Sequence, residues 1–158
     1  MWIFGGGFVS GSATLALYDG KVLAAKGDVV VASMQYRIGP LGFLYDGTEA
    51  APGNAGLLDQ QLALEWINKN IAAFGGDPAQ VTIFGESAGA ASVGYHLLSE
   101  GSDAFFRAAM MESATPIAPW AFVEQDVAKQ RALKLAELVQ YDQITVLLGY
   151  VHCSFLVS

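Results

Sequence analysis

Basic residues are scarce in this sequence: 8 Lys and Arg stand against 15 Asp and Glu, a net charge of −7. No basic stripe is available to meet phosphates, which excludes nucleic-acid binding as a reading. The acidic balance instead suits cationic ligands. Cysteine is almost absent. Cys153 stands alone, so no intrachain disulfide can form, and cysteine usage says nothing of the redox compartment. Long apolar runs are also missing. The longest, "ITVLLGYV" at residues 144–151, is far short of the roughly 20 residues a membrane-spanning helix needs. The opening "MWIFGGGF" has no basic leader and no cleavable apolar stretch, so no signal peptide is read there. No N-x-S/T acceptor and no phosphate-cradling G-x-x-x-x-G-K-[ST] or G-x-G-x-x-G pattern occurs.

What is present is apolar and glycine-rich. Hydrophobic residues make up 53% of the 158, charged ones only 15%, and there are 18 glycines. That balance fits the inner elements of a larger α/β domain without much of its polar shell. Short apolar runs alternate with helical patterns. Strands are predicted near residues 1–4, 29–36, 81–84 and 107–111. A helix is predicted from Gly56 toward Gly75, with Asn54 as a candidate N-cap and Leu58, Leu62, Ile67, Ile71 and Phe74 recurring beside Trp66. A second follows Ser87. A third spans residues 123–139, with Val127, Ala132, Leu135 and Val139 on one face. Strands alternating with helices imply parallel pairing, hence an α/β fold with strands apolar on both faces. The 29–36 strand is expected at one edge, beside the first strand.

The stretch "VTIFGESAGAAS", residues 81–92, carries chemistry. An apolar strand runs into a glycine, and a serine follows at G-x-S-x-G spacing before small residues. A nucleophilic serine must project from its backbone, and a sharp strand-to-helix turn achieves this only with small neighbours, here Gly85, Ala88 and Gly89. The turn sets Ser87 at a helix N-terminus, where free N–H groups favour the negative charge of acyl transfer. Ala88 would supply one oxyanion-hole N–H, and the upstream "FGGGF" the rest. The two motifs together are far more specific than either alone.

Together with "WIFGGGF", "YDGKVLA", "YRIGPLGFL", "APGNAGLLDQQLALEW" and "NIAAFGGDP", this stretch resembles the cholinesterase and type-B carboxylesterase family of α/β-hydrolases. The resemblance leans to cholinesterases, because Phe4 stands where carboxylesterases usually carry histidine, and "APW" ends at Trp120. It implies the central parallel-sheet portion of an α/β-hydrolase fold over residues 1–140, incomplete at both ends, with residues 141–158 a divergent tail. It implies Ser87 as nucleophile and Gly6, Gly7 and Ala88 as oxyanion hole. Glu86 would lie near the cationic part of a choline ester, Trp120 in the acyl pocket, and Tyr18 at the gorge base. Arg37 and Asp59 match a structural ion pair, for which loss of one partner would cost about 3–5 kcal/mol if it were buried. The implied partner is a small carboxylic ester, with no metal and no cofactor. The implied location is extracellular or at the cell surface.

The base is the difficulty. His96 follows Ser87 by nine residues on the same predicted helix, about 13 Å of rise, too far for a hydrogen bond. His152 lies in the divergent tail. The family's acid and histidine come from segments later in the chain. The expected chemistry is therefore ester hydrolysis by an acyl-enzyme route, with this stretch alone catalytically incomplete. The alternative is a non-catalytic binding or adhesion relative, against which retention of Ser87, Glu86 and the glycine triplet argues.

Overall fold

The computed structural model describes residues 1–140. Its centre is a sheet of three strands, β1 (Trp2–Ile3), β2 (Thr82–Glu86) and β3 (Ala108–Glu112), in the order β1-β2-β3. Both pairings are parallel: Trp2 faces Phe84, and Thr82 to Glu86 face Ala108 to Glu112 in unbroken register. Parallel pairing needs a crossover. That between β2 and β3 is α4 (Ala88–Leu98).

Residues 29–36 lie beside β1 as expected, but not as a full strand. They make one parallel bridge, Trp2 to Ser33, with the Trp2 N–H donating to Ala32 O at 2.8 Å. The partner is the reason: β1 ends at Ile3, where the chain turns toward the glycine triplet, so it offers no further ladder. Period-two burial survives without the ladder, since Met34 and Tyr36 are buried while Ser33, Gln35 and Arg37 face out. β3 pairs parallel with β2 as expected, though it is not buried on both faces. It is an edge strand among the described residues, with Met110 and Met111 exposed.

Three helices precede β2. They are α1 (Lys21–Gly27), α2 (Gly39–Phe43) and α3 (Ala55–Asn70), the last prolonged by a tight turn at Ile71–Phe74. Asn54 sits at the α3 N-cap position with φ 55°, and its side chain caps nothing. Gly75 closes the turn at φ 82°, a left-handed conformation glycine adopts without a Cβ penalty. Gly56, Gln60, Leu64, Ile67 and Ile71, spaced by four and three, form the buried face. The leucine stripe expected there points elsewhere: Leu58, Leu62, Trp66 and Phe74 are exposed. Those leucines sit two residues, about 200° of helix, from the buried row. Leucines stand on both sides of α3, and periodicity alone cannot choose between them.

After β3 the chain leads to α5 (Gln125–Leu138). It buries Ala132 and Ala136 against Ala51 and Leu44. The expected Val127 and Val139 are exposed, because this contact is made by close alanine packing rather than by the larger side chains. The main core gathers Ile3, Phe4, Leu64, Ile83 and Val93 around the sheet, with Phe4 stacked on Tyr36 at 4.3 Å between ring centroids.

The two stripes of α3 separate in stability. Leu64→Ala should cost about 2–5 kcal/mol in urea unfolding, as a buried leucine does. Leu62→Ala, on the exposed stripe, should stay within about 0.5 kcal/mol.

Candidate active site

Strand β2 ends at Glu86 and α4 starts at Ala88, so one residue makes the whole turn. That residue is Ser87, at φ 57° and ψ −119°. A non-glycine residue there carries strain of about 1–3 kcal/mol and persists only where its surroundings over-determine it. Here they do. The Ser87 N–H donates to Glu112 O at 2.9 Å, and Ser87 O accepts from the Ala91 N–H at 3.0 Å, the first full turn of α4.

Close approach of α4 to the sheet supplies the rest. A Cβ built on Gly89 would run into the backbone carbonyl of Ile3 and come within 3.0 Å of the Phe4 carbonyl. One on Gly85 would sit 2.6 Å from Ile3 O and from the Gly89 backbone. From Ala88 to Gly94 every residue is small and buried.

The glycine triplet reaches the same place. A Cβ on Gly5 would collide with the Glu86 carbonyl and lie 3.0 Å from Ser87 Cβ. Consecutive Cα atoms are 3.8 Å apart, so Gly6 lies within about 9 Å of Ser87 Cβ. Gly6 and Gly7 have φ of 121° and 62°, which turns the loop back on itself. The Gly6 carbonyl accepts from the N–H groups of Val9 and Ser10, each at 3.1 Å. Among the described residues, the N–H groups of Gly6, Gly7 and Ala88 donate to no protein acceptor, and the Ser87 hydroxyl has no partner. The Tyr36 hydroxyl anchors the loop from below, donating to Phe4 O at 2.6 Å from a buried position.

The other expected residues fall at different distances from this turn. Glu86 is half-buried, with Oε2 beside Gly5. Trp120 reaches the glycine loop by its ring, 6.4 Å from Phe8. It also borders a shallow depression of about 360 Å³ with Pro119, Phe122 and Val127, of which Ser87 is not a lining residue. Tyr18 packs on Trp2, 5.0 Å between centroids, and Trp2 in turn packs on Phe84 of β2. Arg37 grips Asp59 in a two-pronged contact, Nε to Oδ2 and Nη2 to Oδ1 each at 2.8 Å. Burial works to raise the Asp59 carboxyl, but the Arg37 side chain and N–H outweigh it and hold it below its ordinary value. The pair is not buried, since the Arg37 side chain is 55% exposed. The cost of a broken buried pair therefore does not apply, and a surface pair contributes about 0–1 kcal/mol.

His96 is buried, 3% exposed, with Nδ1 2.9 Å from Ser102 Oγ and Nε2 2.9 Å from Gln60 Oε1. Both ring nitrogens are engaged away from Ser87. Burial pushes the ring down to a pKa of about 4. His152 lies outside the described residues. Sequence reasoning missed Gly5, Tyr36 and the partners of His96. Gly5 was legible within the triplet. Tyr36 and Gln60 depend on contacts 32 and 36 residues apart, whereas Ser102 is six residues from His96, beyond the end of its helix. No helix among the described residues is long and apolar enough to cross a membrane.

A strained serine between a parallel strand and a tightly packed helix, faced by a glycine loop from the neighbouring strand, defines an α/β-hydrolase. A model of the carboxylesterase family matches residues 1–154. The chain is 62% identical to Cholinesterase 1 of Branchiostoma lanceolatum over 136 residues, 86% of this chain and 38% of that protein. It is 57% identical to the acetylcholinesterase of Electrophorus electricus over 140 residues, 88% of this chain and 22% of that enzyme. The acetylcholinesterase of Danio rerio is 56% identical over the same length, again 22% of the relative. The chain thus spans well under half the length of these curated relatives, and it belongs to the carboxylesterase family.

Two measurements test the geometry. Gly89→Ala meets immovable backbone and should cost about 3 kcal/mol or more in urea unfolding. Gly75→Ala, with open space but a left-handed φ, should cost about 1 kcal/mol. The second concerns pH. His96 binds its proton near 6.5 when unfolded and near 4 when folded, so its contribution is complete above about pH 6.5. It falls as pH drops from 6.5 toward 4, by on the order of 3 kcal/mol in total. His96→Gln should flatten the decline between pH 6.5 and 5; an unchanged slope would show that His96 is not its source.

Proposed function

We propose that the chain is the nucleophile-bearing part of a serine carboxylic-ester hydrolase of cholinesterase type, acting on choline esters or other carboxylic esters. The observation that carries this reading is Ser87 held at φ 57° at the α4 N-terminus, with Gly5 against it. Ser87 Oγ attacks the ester carbonyl carbon, and the carbonyl electron pair moves onto oxygen. The N–H groups of Gly6, Gly7 and Ala88 receive that oxyanion, since unpaired donors aimed at developing charge stabilise it. Collapse expels the alcohol and leaves an acyl-enzyme, which water then hydrolyses. Glu86 lies near the cationic end of a choline ester, Trp120 bounds the acyl group, and Tyr18 shapes the base of the site. Arg37 and Asp59 tie the segment after residues 29–36 to α3. The location follows the same resemblance, outside the cell or at its surface.

One proton transfer lacks its carrier among the described residues. A serine hydroxyl is a weak nucleophile until a base takes its proton, and His96 is turned away with both nitrogens occupied. That observation favours a second reading for the 158-residue polypeptide taken alone: a fold that presents the site without turning over.

Two arms distinguish the readings. The 158-residue polypeptide, assayed with acetylthiocholine and p-nitrophenyl acetate, should hydrolyse neither faster than its Ser87→Ala control. A longer natural polypeptide containing this segment and a histidine base should turn over, with Ser87→Ala lowering kcat by about 10⁶-fold. Turnover there that survives Ser87→Ala would end the esterase reading. Fast Ser87-dependent turnover by the 158 residues alone would end the second.

A further inference from the structure

Among the described residues, the buried polar side chains Gln60, Ser92, His96 and Ser102 form one directional relay that ends at the serine turn. Ser102, Gln60 and Ser92 are fully buried and His96 nearly so. Ser92 Oγ donates to Ala88 O at 2.9 Å. Its single proton is thereby spent, so it accepts from Gln60, whose Nε2 is 3.2 Å away. That orientation leaves Gln60 Oε1 facing His96 Nε2 at 2.9 Å, and an amide oxygen only accepts, so Nε2 carries the ring proton. Nδ1 is then bare and accepts from the Ser102 hydroxyl at 2.9 Å. Each donor has one acceptor, and the whole set is compatible with one tautomer.

The relay joins three elements. Ser102 precedes the turn at Asp103–Phe105, Gln60 is on α3, and Ser92 and His96 are on α4. It ends on Ala88, the residue next to Ser87. A serine hydroxyl bonded back to the carbonyl four residues earlier bends its helix. Here that bond spans the first turn of α4, directly after Ser87. Packing from the glycines restrains this turn on the sheet side. The relay restrains it on the α3 side.

We propose that Ser92, Gln60, His96 and Ser102 are positioning residues for the site, holding Ala88 and its N–H in line with Ser87. Its chemical consequence rests on the esterase reading above, whereas the positioning itself does not. Burial keeps the ring neutral, which preserves the bare Nδ1 the relay requires. A set of buried groups that merely satisfied one another would hold stability without orienting Ala88.

The test uses the 158-residue chain labelled with ¹⁵N and ¹³C. The expected result is a His96 ring protonated on Nε2 and bare on Nδ1 from pH 7.5 to 5. Ser102→Ala lies at the far end of the relay from Ser87. It should shift the amide resonances of Ser87, Ala88 and Gly89. Ser92→Thr, which keeps the hydroxyl, should leave Ser87 and Ala88 closer to wild type than Ser92→Ala does. A folded Ser102→Ala chain with those amides unmoved, or a wild-type ring protonated on Nδ1, overturns the proposal. Should Ser102→Ala not fold, the wild-type ring and the Ser92 pair decide it. In a longer polypeptide that supplies the base, Ser102→Ala should lower kcat roughly tenfold or more with KM little changed, as small misplacement of catalytic groups does. Absence of turnover in that parent polypeptide counts against the esterase reading, and the ring and amide results still decide the relay.

Discussion

Everything near Ser87 depends on one approach of backbone to backbone, Gly89 of α4 against the Ile3 and Phe4 carbonyls of the neighbouring strand. With a side chain at Gly89 the helix would stand off the sheet. The link between Glu86 and Ala88 would then lengthen, and Ser87 would relax out of its left-handed conformation. The same contact brings the end of β1 alongside the end of β2, which is why the glycine loop emerges next to the serine. Strain in one residue is thus maintained by dispersion and close packing spread over two strands and a helix, the usual way a protein stores local strain.

How much of this was legible depended on whether a feature is local. The serine turn could be read because its requirements, an apolar strand, two glycines and a run of small residues, lie within a dozen positions. The glycine loop could be read for the same reason. Residues 29–36 could not be read correctly, since a strand is made by its partner, and β1 has only two residues to offer. The buried face of α3 was ambiguous because leucines, Leu64 and Leu62, stand on opposite sides of the helix. On α5 the buried residues are alanines, which carry little weight in any hydrophobic pattern. His96 was visible as a histidine unable to reach Ser87. Its environment was not, because Gln60 lies 36 positions away.

The polar groups divide into two kinds. Arg37 and Asp59 carry full charges in good geometry but meet water, so screening leaves their pairing worth little. Ser102, His96, Gln60 and Ser92 carry no charge and are buried. In a low dielectric each of their hydrogen bonds is stronger, and each missing one would be costly. Specificity of arrangement therefore lies with the neutral set. The net charge of −7 acts at longer range, on what approaches the surface.

The sheet joins positions very unequally separated along the chain. Thr82 pairs with Ala108, 26 residues on, whereas Trp2 pairs with Phe84, 82 residues on. Closing the longer loop costs about 1 kcal/mol more entropy, and pairings distant in sequence form slowly. The β2–α4–β3 unit is therefore the natural nucleus, and β1 is a late arrival. During synthesis from the N-terminus the order is reinforced: β1 emerges first and must wait for its partner. Because the Gly89 contact needs the Ile3 and Phe4 carbonyls, the serine turn takes its final shape only when β1 docks, and the glycine loop arrives with it.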